Sequence, residues 1–213
     1  MPSIPSEPYI IQLFQSRYGI IFSKIDEQGG KEGKTSDYEY CESKKRVFVC
    51  ELKDFLNIKP SEEDGWEIQK HSDDFVSASR ISNATNRVSK AISKAYKQLS
   101  KYDEPKMLIF LNYSPYLGVE DLEEVYRGYR TLGVEGNTKY LDLYAKRASE
   151  GKIKEIKDKI DLYIWIDTIN TKELVMDSEG VQKEDKIWFR TVTEQGRKLA
   201  KKYFSNRIDI RKS

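Results

Sequence analysis

Asp37-Tyr38-Glu39-Tyr40-Cys41, then Arg46-Val47-Phe48-Val49-Cys50-Glu51-Leu52-Lys53, is the stretch on which the reading of this chain turns. Both segments carry the β-branched and aromatic residues of strands, and the polar tetrad Glu42–Lys45 between them reads as a turn. If that tetrad closes a hairpin, Asp37 lies across from about Glu51, with Cβ atoms about 5 Å apart. Glu51 and Lys53 are two residues apart and share one face of their strand. The apolar run before them marks the strand as buried. Two facing carboxylates repel unless a cation sits between them. A hard divalent ion held by oxygen, Mg²⁺ or Mn²⁺, suits such a place. A lysine beside it can stabilise developing charge on a phosphate or help orient a water.

The scarce residues lead to the same chemistry. The chain has 213 residues, with one histidine, His71, and two cysteines, Cys41 and Cys50. That set supplies neither a four-ligand zinc site nor a disulfide framework. Metal chemistry here has to use carboxylates. The cysteines read as two small buried residues, near each other across the hairpin, in a reducing cytoplasm. Lys and Arg number 37 against 35 Asp and Glu, for a formal charge of +2. The aromatic content of 12% argues for a folded chain. The longest apolar runs, such as Met107–Leu111, are far shorter than the roughly 20 residues that cross a bilayer. No secretory leader is read at the start, and no membrane partner is expected.

Outward from the hairpin, Ser6 caps a helix to about Tyr18, with Glu7 and Pro8 in its first turn and Gly19 ending it. Ile20–Ile25 reads as a strand and Gln28–Lys34 as a loop. Asn57–Asp74 is polar, largely acidic and aperiodic, a surface excursion. A long helix is expected over Ser79–Tyr102, with Ile81, Ala84, Val88, Ile92, Ala95, Leu99 and Tyr102 on one stripe. Met107–Asn112 reads as a strand covered on both faces. Further on come a helix at Glu120–Arg130, helical parts of Lys139–Lys159, strands at Leu162–Ile166 and Ile187–Arg190, and a helix capped by Thr191 with Glu194. The fold class expected is α/β, one domain over residues 1–213. Its small mixed sheet is flanked by helices, with a core over about 6–112 and a mixed half over 113–213.

The aspartate, the strand ending Glu51-Leu52-Lys53 and the flanking elements resemble the PD-(D/E)xK nuclease superfamily, over about residues 6–112. Gln98 and Tyr102 make a Q-x-x-x-Y pair similar to the extra motif of its RecB-type exonuclease branch. The resemblance implies a restriction-endonuclease-like core and Mg²⁺- or Mn²⁺-dependent hydrolysis of phosphodiester bonds, in DNA before RNA. It implies Asp37 and Glu51 as metal ligands, with the Leu52 carbonyl as a further one. Lys53 is then catalytic, with Gln98 and Tyr102 near the site and the bound strand. Ser36 stands where the family's pattern has a proline. The triplet spacing alone has no weight, because Glu32–Lys34, Glu42–Lys44, Glu104–Lys106 and Glu155–Lys157 share it. Only the Glu51 copy closes an apolar strand with an aspartate on its partner. An exposed hairpin end with a surface Glu–Lys pair is the competing reading. A non-catalytic module of the same fold, binding nucleic acid or a protein, is the alternative function.

Between Phe75 and Tyr102 there is no acidic residue. Arg87, Lys90, Lys94, Lys97 and Lys101 step by three or four and form one helix face. Phosphate is one counter-charge for that face; acidic loops such as Glu62–Asp64 are the other. Arg197, Lys198, Lys201, Lys202, Arg207, Arg211 and Lys212 make the C-terminal stretch basic as well. Tyr113, Tyr116, Tyr126 and Tyr129 could stack on bases, and Trp66 and His71 could line a substrate path. Glu7 and Glu39 are secondary acidic candidates, read mainly as helix-dipole and solvated strand residues. A homodimer would suit cutting both strands of a duplex.

Overall fold

The computed structural model describes residues 6–25, 36–55, 66–70, 76–80, 84–114, 117–134, 137–142, 153–168 and 186–205. The expected loop at Gln28–Lys34, His71, Tyr116 and the basic residues after 205 lie outside them. Helix α1 is Ser6–Tyr18, with Ile10 and Phe14 buried one turn apart. It stops at Gly19, whose φ of 68° is the left-handed conformation that favours glycine. Only Ser23–Lys24, β1, pairs as a strand in the stretch expected over Ile20–Ile25. Ile20 and Phe22 are buried there, whereas Ile21 is 61% exposed.

Strands β2, Tyr38–Glu42, and β3, Lys45–Phe55, form the expected hairpin. Its turn is Ser43-Lys44, both at positive φ, the primed geometry that matches the twist of a tight hairpin. Next come β4, Trp66–Lys70, and β5, Val76–Arg80, a two-stranded ribbon of their own. Part of the polar excursion is therefore ladder, not aperiodic loop. Its pairing draws Ser79 and Arg80 out of the expected helix, which begins later as α2, Ala84–Leu99. Val88, Ile92, Ala95 and Leu99 form its buried stripe.

Strand β6 is Lys106–Asn112, with Met107 to Asn112 all fully buried. Helix α3, Val119–Arg127, ends at Gly128 with φ 81°. Instead of more helix, β7, Tyr129–Val134, and β8, Asn137–Asp142, pair as a ribbon. The helix expected in Lys139–Lys159 is confined, among the described residues, to a short segment over 153–159. Strands β9, Leu162–Asp167, and β10, Lys186–Thr191, precede α4, Glu194–Tyr203. The α4 cap is Thr193, which accepts from Gly196 N at 3.0 Å, and not Thr191, which belongs to β10.

The architecture is α/β. One open, mixed sheet runs β1-β2-β3-β6-β9-β10, with β3, β6 and β9 parallel at its centre. Residues from both halves of the chain share this sheet. Alternation along the strands separates two cores. Met107, Ile109 and Leu111 join Phe48, Cys50, Ile10, Phe14, Leu199 and Phe204 on the α1–α4 face. Leu108 and Phe110 join Val49, Phe55, Val88, Ile92, Leu122 and Val125 on the α2–α3 face. Glu51 and Lys53 have the parity of Val49 and Phe55, so they fall on the α2 face. Asp54 has the parity of Cys50 and falls on the α1 face. No described helix is long and apolar enough to cross a membrane.

Candidate active site

Strand β2 begins at Tyr38, opposite Cys50, and so leaves the second half of β3 beyond its ladder. Around that edge lies a cavity of about 600 Å³, lined by residues of α1, β3 and α2 and by Asp37. The register that aligns Asp37 with it is not that of a regular hairpin. Continued evenly from the Cys41–Arg46 pair, the ladder would set Asp37 opposite Cys50, whose side chain belongs to the α1 face. A bulge between Tyr40 and Cys41 takes up one residue of β3 and restores the match. Asp37 then stands beside Glu51, and its N–H donates to Glu51 Oε2 at 3.2 Å.

Among the described residues the donors around these carboxylates are few. Leu52 N–H donates to Asp37 Oδ2 at 2.8 Å. The Lys53 ammonium donates to Glu51 Oε1 and reaches Gln98 Oε1 of α2 at 3.4 Å. Glu51 is fully buried. Burial pushes its carboxyl up to about 7, against the opposing pull of Lys53. Burial also raises Asp37, with the Leu52 N–H and then Lys53 opposing it. Desolvation is the main cause of both upward shifts, since two carboxylates are taken out of water beside one ammonium.

Oxygen donors for a cation are present. Ser36 Oγ donates to the Cys50 carbonyl at 2.8 Å, and Val49 N–H donates away from β2, to Pro105 O, at 3.0 Å. Even-numbered residues of β3 therefore turn their main chain toward the β2 edge. Leu52 is one of them, so its carbonyl faces the same edge as its N–H and the Asp37 carboxylate. Among the described residues no three His, Cys, Asp or Glu side chains group as a metal site. The set is two carboxylates and a carbonyl, all oxygen, which is the chemistry of Mg²⁺ or Mn²⁺. A divalent ion also fits the unbalanced negative charge.

Lys94 and Lys97 stand on the α2 wall of the cavity with Gln98. Lys90 is exposed further up the helix, and Arg87 is partly buried there. Lys101 and Tyr102 follow the end of α2. The Tyr102 ring lies 5.4 Å beneath the Arg46 guanidinium, near the start of β3, and it is not among the cavity's lining residues. Of the Q-x-x-x-Y pair, only Gln98 reaches Lys53. Glu39 pairs with Arg46 and is likewise away from the cavity.

No family model, curated protein or solved structure matches this chain.

The opposite wall brings Ser6 and the secondary candidate Glu7 together with Asp54, which sequence reasoning passed over. The Ser6 hydroxyl donates to Asp54 Oδ2 at 2.8 Å and ties the start of α1 to β3. Asp54 had one signal, its place directly after Lys53. Glu7 lines the cavity too, paired with Lys24 at 2.7 Å, and that partner lowers its carboxyl. Cys41 pairs with Arg46 and is exposed, whereas Cys50 pairs with Tyr38 and is buried, so the two are not neighbours across the hairpin.

Proposed function

We propose that the chain is a divalent-metal-dependent nuclease of the PD-(D/E)xK kind, hydrolysing phosphodiester bonds in DNA. The observation that carries this reading is the meeting of Asp37, Glu51 and Lys53 beside a cavity walled by Lys94, Lys97 and Gln98. Asp37, Glu51 and the Leu52 carbonyl would hold the ion. When bound, Mg²⁺ or Mn²⁺ supplies Lewis acidity toward a phosphate oxygen and water.

The chain's own groups do the rest. Lys94 and Lys97 draw the phosphate backbone onto the α2 wall. The Lys53 ammonium, steadied by Gln98, stabilises negative charge growing on the phosphate as water attacks phosphorus. The attacking water gives up a proton to solvent as its oxygen bonds phosphorus, the bond to the leaving sugar oxygen breaks, and that oxygen takes up a proton from solvent. The buried floor under Glu51 strengthens these interactions by excluding water.

Purified protein is incubated with plasmid and linear DNA plus Mg²⁺ or Mn²⁺, then with EDTA, and the series is repeated with Lys53→Ala. Metal-dependent cleavage that collapses in the variant is the expected result. Cleavage that persists unchanged would sink the mechanism. Salt-sensitive DNA retention with no cleavage would favour a non-catalytic binding module.

A further inference from the structure

We infer that the cleft takes one nucleic-acid strand at a time, so that its substrate is a single strand or the unpaired end of a duplex, laid along the α2 wall. This rests on the nuclease reading of the same site and adds the form of its substrate.

The two walls differ in charge. Lys94 and Lys97 are exposed cations on the α2 side. On the α1 side stand Ser6, Glu7 and Asp54. Lys24 offsets Glu7 at the rim, whereas the contact of Asp54 with Ser6 is to a neutral hydroxyl that brings no counter-charge. A duplex carries two phosphate backbones, about one charge per 1.7 Å of axis. With one backbone on the lysines, the other would meet a wall that, among the described residues, has a carboxylate and no net cation. A single strand gives its only backbone to the lysines and offers uncharged bases to the α1 wall.

Size and depth act in the same direction. About 600 Å³ is a volume in the range of a small-ligand cavity, enough for a nucleotide-sized group. The reacting groups lie deep in it, with Glu51 at 0% and the Lys53 side chain at 23% exposure. A phosphate has to bend inward to reach them, and an unpaired strand can do so without unstacking a partner. Outside the cavity, Lys90 and Arg87 continue the stripe over roughly 15 Å of helix. That gives the strand a path toward the N-terminal end of α2.

Labelled DNA of one sequence is prepared as a single strand, a blunt duplex and a tailed duplex. Binding is read by fluorescence anisotropy in Ca²⁺, and cleavage separately in Mg²⁺ or Mn²⁺. Single-stranded and tailed DNA should bind about tenfold tighter than the blunt duplex. With four cations on the strand, log affinity should fall against log salt with a slope of about −3. Lys94→Ala with Lys97→Ala should make that slope shallower by about 1.4. Asp54→Asn, which keeps an acceptor for Ser6, should narrow the single-strand preference by raising duplex binding. Closed circular duplex bound and cut as well as single strands would overturn this inference while leaving the nuclease reading intact. So would failure of any DNA to bind. Strand-selective binding without cleavage of any substrate supports the inference and overturns the nuclease reading instead.

Discussion

Glu51 on β3 and Asp161 just before β9 are both buried acids, on the two strands that flank β6. Asp161 accepts from Lys106 N at 2.7 Å and from the Thr193 hydroxyl, while its main chain bonds Lys106 O and Val192 N. It knots β6, β9 and the cap of α4 together. Glu51 has a lysine and one longer main-chain contact, and burial lifts its carboxyl to about 7. The difference separates an acid that holds the fold from the one we propose as a metal ligand. Where main-chain and hydroxyl donors meet both oxygens, a buried carboxylate holds the fold. Where they do not, it stays receptive to a cation.

Substitution at the two acids should have opposite consequences. The largest effect is expected at the proposed metal ligand: Glu51→Gln should lower metal-dependent DNA cleavage at least about 100-fold, in the range of losing a group that acts on the reacting centre. Initial rates in Mg²⁺ check this. The same substitution at Asp161 should barely touch the rate per folded molecule.

Stability should answer the other way. Asp161→Ala leaves the Lys106 N–H and the Thr193 hydroxyl without their partner and should cost about 3 kcal/mol in urea unfolding. Gly196→Ala tests the same knot, because a Cβ there would sit 1.9 Å from the Asp161 carbonyl oxygen. A cost below about 1 kcal/mol in both variants would remove the knot from the account.

In EDTA, Glu51 should weaken the fold as pH rises. Its folded carboxyl binds a proton more tightly than the ordinary value of 4.5. Its stabilising share is present in full below 4.5 and is lost as pH climbs through about 7. Glu51→Gln removes that loss. The variant should match wild type near pH 4.5 and exceed it at pH 8 by up to about 3 kcal/mol, and adding Mg²⁺ should raise the melting temperature of the wild type alone. Melting curves across that range decide it. The smallest effect is expected in the hairpin turn, where Lys44→Gly relieves a left-handed residue and should stabilise by a few tenths of a kcal/mol.

Much of this architecture is legible from strong apolar patterns. α1, the β2–β3 hairpin, β6, β9 and the stripe of α2 all follow from residues that have to be buried. The β4–β5 and β7–β8 ribbons escape such reading, because their polar segments become strands only by pairing with each other. The α1 wall escapes for a similar reason. Glu7 is visible as an acidic candidate, but Ser6 and Asp54 are ordinary in type and far apart in the chain, and only packing assembles the three.

By itself the sequence determined the chemistry available: carboxylates and lysines in place of histidine and cysteine, on the buried strand and basic helix that carry them. It also determined that Glu51 and Lys53 share a face, since alternation along a strand is local. Only the tertiary structure decided that Asp37 stands beside Glu51, that Gln98 reaches Lys53 while Tyr102 does not, and that α1 and α2 wall one cleft with unlike charge. Those are matters of a one-residue bulge and of helix docking. A slip of one residue turns a strand's side chains to the other face, and what prevents it is burial on both sides of the sheet, contributed by residues far apart in the chain.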